Sequence, residues 1–343
     1  MLKLVDVSLG EEIRLFSNIA VEISSQCNRS CKFCPNSIFE RPDEYMPMEM
    51  IERIVAELKS LKYNGRYEHY IYNEPTRDAR LLEVITYVKK ELPRATQMIN
   101  TNGDYFKSAD DIWALFEAGI NQMQINIYSS GDGSPSEKIF NNGVRLAQKR
   151  EAKMQNWVDS LTEKYGLSQE LSLYQNIGPS KKVCKVVNKY GVLNTFTDKD
   201  AEGPNVWTNR SGLVPQFKEG LQEPISKHCT KPFRFLNINW RGEAFLCCND
   251  FNAETSVGNV NEKTLVELWN SFELNVYRLK LQNKKRDCFL CNKCDFNGGY
   301  YPHMIDNVTF GEENDKMILN SDFSDRSSIF KFPPALIPIP KEQ

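Results

Sequence analysis

Along the chain, stretches in which every second residue is apolar give way repeatedly to stretches in which the apolar residues recur at helical spacing. In Asn18–Ser24, Ile19, Val21 and Ile23 alternate to one side, which predicts a strand. Pro47 stands where a helix begins, and Ile51, Ile54, Val55, Leu58 and Leu61 then predict an amphipathic helix over residues 47–62. A second strand is expected through Tyr70-Ile71-Tyr72, a helix through Leu81, Leu82, Val84, Ile85 and Val88, and a third strand at 97–100 that ends in Thr101-Asn102-Gly103-Asp104. Ile112, Leu115 and Phe116 mark a third helix up to Gly119, residues 123–128 a fourth strand, and 182–187 a further one on which Cys184 reads as a small core residue. Strand–helix alternation with short connections argues for a parallel sheet with helices packed outside, either open or curled into a barrel.

The rhythm then weakens. Residues 139–175 are polar, charged and loosely periodic, which fits one or two helices, and Gly131-Asp132-Gly133-Ser134 is too short for a phosphate loop and reads as a turn. After Pro215 the alternation stops and cysteines return. The expected division is therefore a first domain over 1–215, a second over 216–300, and a weakly structured extension over 301–343.

With 343 residues, 41% of them hydrophobic, the chain is long enough for one large α/β domain and a smaller one. A formal net charge of −2 supplies no basic field, which argues against tight nucleic-acid binding. Met1–Asp6 has neither a basic start nor a long apolar core, and the apolar tail Phe332–Pro340 is short and broken by four prolines, so no membrane association is expected. Ten cysteines spread over the chain do not form the dense pattern of a small secreted domain, and a reducing cytoplasm is the expected home. Three histidines make histidine-centred acid–base catalysis a poor prospect, and no catalytic side chain is assigned.

Cys27, Cys31 and Cys34 stand in a C-x3-C-x2-C run directly after the first strand. Three thiolates this close can hold three irons of a [4Fe–4S] cube and leave the fourth iron open to a reactant. Structural zinc wants a fourth ligand, and the nearest later candidates are His69 and Cys184. The second set comprises Cys229, the neighbours Cys247 and Cys248, and Cys288-x2-Cys291-x2-Cys294, with Gly242 suited to a hairpin turn that folds Cys247 back towards Cys229. Six cysteines compete for four places. Context favours Cys229, Cys247, Cys291 and Cys294 and leaves Cys248 and Cys288 as spares, with a zinc ribbon as the alternative to a closed cluster.

Taken together, these residues resemble the radical S-adenosylmethionine (SAM) enzymes that carry a C-terminal SPASM or twitch domain. The cysteine loop matches the family signature, and the second domain is matched by Cys229-Thr230-Lys231-Pro232, Gly242, Cys247–Asp250, Gly258-Asn259-Val260, Leu268-Trp269-Asn270 and Cys291-x2-Cys294-Asp295. The resemblance implies an α/β fold, a partial (β/α)6 radical SAM barrel with a small C-terminal twitch/SPASM-like domain. It implies SAM, a catalytic [4Fe–4S] cluster and a second, auxiliary [4Fe–4S] cluster. SAM is then cleaved reductively to a 5′-deoxyadenosyl radical that takes a hydrogen from substrate, with the auxiliary cluster as electron acceptor.

Carried onto this chain, the resemblance places Phe33 near the adenine and Tyr72-Asn73-Glu74-Pro75 where the methionyl ammonium binds, with Asn73 and Glu74 as the named contacts. Asn102 and Asn126 resemble ribose or carboxylate contacts, and Asn209 and Arg210 belong to the loop before the auxiliary domain. Asn102 as a turn cap and Arg210 as a surface charge are equally open readings. Tyr72, Tyr128 and Trp207 suit either a pocket wall or ordinary core packing. The implied partners are a small polar, carbohydrate- or aminocyclitol-like substrate and a one-electron reductant such as flavodoxin or ferredoxin. A ribosomally made peptide is the alternative substrate, and a non-catalytic iron–sulfur or zinc protein the competing class. No peptide-recognition domain is expected at either end, with the first strand beginning by about residue 18.

Overall fold

The computed structural model describes residues 3–5, 12–129, 137–170, 178–188, 208–215, 221–296 and 310–329. Trp207, the turn at 131–134 and the proline-broken tail lie outside these residues. A two-stranded antiparallel hairpin, β1 (Lys3–Val5) and β2 (Glu12–Arg14), precedes the strand expected to come first. Then follow β3 (Asn18–Val21), α1 (Met48–Ser60), β4 (Arg66–Glu68), α2 (Leu81–Glu91), β5 (Thr96–Thr101), α3 (Ala109–Ala118), β6 (Gln122–Ile127), α4 (Glu137–Tyr165) and β7 (Val183–Asn188). The second domain brings β8 (Phe235–Ile238), β9 (Glu243–Phe245), β10 (Ser256–Asn259), α5 (Leu265–Trp269) and α6 (Phe272–Gln282), and the chain continues through α7 (Glu312–Asn320) and α8 (Arg326–Ile329).

One eight-stranded sheet holds both domains, in the order β10-β9-β8-β3-β4-β5-β6-β7. The six strands from β8 to β7 are parallel, which is the strand set of the expected partial barrel, and β9 and β10 extend it antiparallel. The sheet thus runs straight across the boundary expected near residue 216, because β8 pairs with β3.

Its two faces differ in chemistry. Ile19, Val21, Tyr67, Ile99, Met123, Ile125, Ile127, Leu236 and Ile238 join Ile51, Ile54, Leu58, Val84, Val88, Ile112 and Phe116 of the helices in one core. Strand alternation turns Asn18, Arg66, Glu68, Asn100, Gln124, Asn126 and Asn237 to the opposite face. Parallel strands covered on both sides normally read as continuous apolar runs, so this alternation means that the face away from the helices is built for polar company.

Two expectations need correction. The second strand lies at Arg66–Glu68, and Tyr70-Ile71-Tyr72 falls in the bend beyond its end, where an aromatic run is buried by a loop rather than a ladder. Residues 137–165 form one continuous helix, within the one or two expected there. The extension after residue 300 is docked where it is described: Ile318, Phe323 and Ile329 are buried, Cys288 bridges Phe323, and the ammonium of Lys280 donates to the Ser321 carbonyl. Among the described residues no helix is long and apolar enough to cross a membrane.

The expected hairpin turn is present. Gly242 has φ +81°, its N–H donates to Asn239 O at 2.9 Å, and an added Cβ would lie 2.8 Å from Met50 Sδ and 2.9 Å from Asn259 Oδ1. Gly242→Ala is therefore expected to lower stability by about 1–3 kcal/mol, combining left-handed strain with crowding. Anaerobic urea unfolding measures this, and an unchanged midpoint would refute it.

Candidate active site and auxiliary centre

The cysteine loop leaves the end of β3 and is clamped at its base and its middle. At the base, Ser25 N donates to Glu44 O and Met46 N to Ile23 O, each at 2.9 Å, so the returning segment closes the loop. In the middle, Arg29 grips Asp104 through Nε at 2.6 Å and Nη2 at 2.7 Å, Asn28 Nδ2 donates to the same carboxylate at 2.9 Å, and Arg150 of α4 adds a further ion pair at 2.7 Å. The turn after β5 thereby fixes the loop between Cys27 and Cys31. Burial pushes the Cys27 thiol up to about 12 and also raises Cys34, while the Arg210 and Arg41 charges pull Cys34 down. Thiols that burial keeps protonated become strong ligands once a metal displaces the proton.

Glu22 organises the segment beside this loop. Its Oε1 accepts from Tyr72 N at 2.8 Å, Asn73 N at 3.0 Å and Arg41 Nη1 at 2.8 Å. The Arg41 guanidinium lies 4.4 Å from the Trp240 ring centroid and 4.2 Å from that of Phe251, and it donates to Ser25 O and Phe251 O at 3.2 Å each. One buried ion pair therefore joins β3, the cysteine loop and the second domain. Neither residue was singled out from the sequence, although Glu22 continues the alternation that begins at Asn18.

Glu74 N donates to Gln26 O at 2.9 Å, tying this segment to the loop. The Glu74 carboxylate is buried and raised by that burial. Its Oε1 accepts from Thr76 N, Thr76 Oγ1 and Thr101 Oγ1, and its Oε2 from Asn102 N at 2.7 Å. Oε2, with one donor, keeps room for a cation. Asn73 turns inward, its Oδ1 accepting from Ile71 N at 3.2 Å, and so braces its own loop. Asn102 does two things: its Oδ1 caps Asp104 N at 2.9 Å, and its Nδ2 donates to Asn28 Oδ1 at 2.8 Å and reaches Cys27 Sγ at 3.9 Å. Asn126 lies buried on the polar face and accepts from Gln124 Nε2 at 2.6 Å; Phe33 is buried 5.3 Å from the Tyr128 ring.

Arg210 is half-buried and its Nε is wholly buried without a partner, so the surface-charge reading fails. It lies 5.8 Å from the Tyr72 ring and donates to Asn249 Oδ1 at 3.4 Å. Asn209 is fully buried and points the other way, donating through N to Asp295 Oδ1 at 2.8 Å and through Nδ2 to Lys293 O at 2.7 Å.

In the second domain, Cys229, Cys247, Cys291 and Cys294 line one cavity together with Lys231, Asn249, Arg286, Leu290 and Phe296. Cys248 and Cys288 do not line it. Both stand in the turn that follows β9: Cys247 enters the cavity, while Cys248 stays outside its lining and accepts from Lys231 Nζ at 3.0 Å. Cys288 is core, its thiol pushed up by burial. Asn249 N and Nδ2 donate to Cys247 Sγ at 3.4 Å and Cys294 Sγ at 3.3 Å. These soft donors, buried cations and N–H···S bonds fit an iron–sulfur cube. A single zinc would need sulfurs about 3.8 Å apart, from Zn–S bonds near 2.3 Å; among the described residues no three Cys, His, Asp or Glu side chains are gathered to hold one ion.

In comparison with known proteins, two family models match separate parts of the chain. A family model of the radical SAM superfamily matches residues 21–160, and one of SPASM, an iron–sulfur cluster-binding domain, matches residues 229–295. The S-adenosyl-L-methionine-dependent 2-deoxy-scyllo-inosamine dehydrogenase of Niallia circulans is 24% identical over 284 residues, covering 82% of this chain and 94% of that protein. The crystal structure of BtrN in complex with AdoMet and 2-DOIA is similar with a TM-score of 0.59 at 23% identity, over 82% of this chain and 93% of BtrN. BtrN in an open conformation gives 0.52 at 20% identity, over 84% and 99%. The SPASM match favours iron–sulfur over a zinc ribbon for the second cysteine set. With one match spanning the cysteine loop and the other the four-cysteine cavity, the chain belongs to the radical SAM superfamily and carries a SPASM domain, whose cofactors are SAM and [4Fe–4S] clusters.

Proposed function

We propose that this chain removes a hydrogen atom from a small, polar, aminocyclitol- or carbohydrate-like molecule and oxidises it. The supporting observation is the polar face of the sheet. Asn18, Arg66, Glu68, Gln124, Asn126 and Asn237 are all buried there, and Asn100 Oδ1 and Asn237 Nδ2 have no hydrogen-bond partner. An unmet buried polar atom costs about 1–3 kcal/mol, and hydroxyls and amines of a bound ligand are suited to meet it. The Niallia circulans relative, by its name, is a dehydrogenase of an aminocyclitol.

In this reading Cys27, Cys31 and Cys34 hold the catalytic cluster, and Cys229, Cys247, Cys291 and Cys294 the auxiliary one. The bound cofactors supply a 5′-deoxyadenosyl radical from SAM. The chain supplies position: Glu74 Oε2 accepts from the methionyl ammonium, Phe33 and Tyr128 offer an apolar wall to the adenine, and Asn102, Asn126 and Arg210 serve polar groups. Asn73 and Asn209 brace loops instead, since their side chains are already engaged. A flavodoxin- or ferredoxin-like reductant in the cytoplasm provides the starting electron.

The test is isotope transfer. Reduced holoenzyme with SAM is offered carbon-deuterated aminocyclitols and sugars beside a panel of deuterated peptides. Deuterium in 5′-deoxyadenosine and a new carbonyl are expected from the first group. Transfer from peptides alone would overturn the proposal.

A further inference from the structure

Asn249 touches both halves of the site. Its N–H and its side-chain Nδ2 donate to two thiols of the four-cysteine cavity, Cys247 and Cys294, while its Oδ1 accepts from Arg210 Nη1 at 3.4 Å. At 1% exposure it is enclosed on all sides. The Arg210 charge acts on Tyr72 and Cys248 and, on the barrel side, on Cys34 and Tyr128. It stands there on strained backbone: Arg210 at φ +48° and Ser211 at φ +57° are consecutive non-glycine residues in the left-handed region, at about 1–2 kcal/mol each. Asn209 offsets that strain by its bonds to Lys293 O and Asp295, the neighbours of Cys294. Two routes therefore lead from the last auxiliary cysteine to one barrel guanidinium.

We propose that Asn249 is a positioning residue that couples the auxiliary centre to the barrel site, raising the reduction potential of the former through its N–H···S bonds and holding Arg210 of the latter through its carbonyl. This rests on the reading of Cys229, Cys247, Cys291 and Cys294 as cluster ligands. Donors to thiolate sulfur stabilise the extra negative charge of a reduced cluster and so raise its potential. Arg210 polarises the Asn249 amide from its oxygen end, which strengthens donation from its nitrogen end. An anionic group that engages Arg210 in the barrel weakens that pull, so occupancy of the barrel lowers the auxiliary potential.

The experiment is an anaerobic redox titration of the holoenzyme followed by electron paramagnetic resonance, with and without SAM, the catalytic cluster serving as internal control. In the wild type, SAM is expected to lower the auxiliary potential. Asn249→Leu is expected to titrate at a lower potential and to lose most of the response to SAM. Asn249→Asp, nearly the same shape, keeps an oxygen for Arg210 but loses the Nδ2–H donor to Cys294 and adds a negative charge; it is expected to titrate lower still and to lose the response carried by the amide. A fully iron-loaded Asn249→Leu protein that titrates like the wild type, with the same response, overturns the proposal. If Asn249→Leu fails to load, Asn249→Asp decides: an unlowered potential overturns it. A wild-type protein with iron for only one cluster overturns the ligand reading itself, and the proposal with it.

Discussion

Cys31→Ala is expected to abolish reductive cleavage of SAM and to halve the iron, from about eight atoms per chain to about four. A cube bound by three thiolates keeps too few ligands when one is lost, and the loop has no substitute: among the described residues the next cysteine in sequence, Cys184, is fully buried on β7 in the core. The remaining four irons should stay with the second domain, whose cavity is lined by other residues. Cys248→Ala and Cys288→Ala make the contrast, since neither thiol lines that cavity and both variants should keep about eight irons. Iron quantitation together with 5′-deoxyadenosine release reads both effects. Full iron in Cys31→Ala, or loss of four irons from Cys248→Ala, would show that the ligands have been misassigned.

Arg41→Met is expected to lower stability by about 3–5 kcal/mol, the range for removing one partner of a buried ion pair. Side-chain exposure is 7% for Arg41 and 0% for Glu22, so solvent does not screen the charge left behind. The variant also loses contact with the faces of Trp240 and Phe251 and the bonds to Ser25 O and Phe251 O. The methionine chain refills much of the volume, which confines the comparison to charge and hydrogen bonds. Glu22→Gln should cost less, because an amide oxygen can still accept from Tyr72 N and Asn73 N. Anaerobic urea unfolding of both variants is the measurement. A loss below about 1 kcal/mol in Arg41→Met would place the pair among those worth little to stability.

The helices and most parallel strands could be read directly, because their apolar residues sit at clean periods and Pro47, Gly119 and Gly242 punctuate them. The cysteine sets were visible for the same local reason, since Cys27, Cys31 and Cys34, and again Cys288, Cys291 and Cys294, stand close together in sequence. What could not be read was set by tertiary pairing. Arg41 and Glu22 are 19 residues apart, and Arg41 also bonds Phe251, 210 residues away, a contact with no local signature. For Asn73 and Asn209 the sequence showed motif position but not the backbone groups, of Ile71 and Lys293, that their side chains bond. The polar face of the sheet was visible in principle, since Gln122, Gln124 and Asn126 alternate with Met123, Ile125 and Ile127. Its meaning came only with the knowledge that helices cover the other side. The docked segment at 310–329 was missed because three anchoring residues, Ile318, Phe323 and Ile329, are too sparse to show a period.

The pairing of β3 with β8 also shapes how the chain is made. Ser17, beside β3, donates to the Arg234 carbonyl, beside β8, at a sequence separation of 217. Emerging from the ribosome, β3 presents one bare edge until β8 at Phe235–Ile238 has been synthesised, and bare edges invite pairing with other chains. Contacts this distant also slow folding. Overproduction should therefore lose material to aggregates formed by nascent and truncated chains, and slower translation or chaperone supply should recover more soluble protein than supplementation with iron alone.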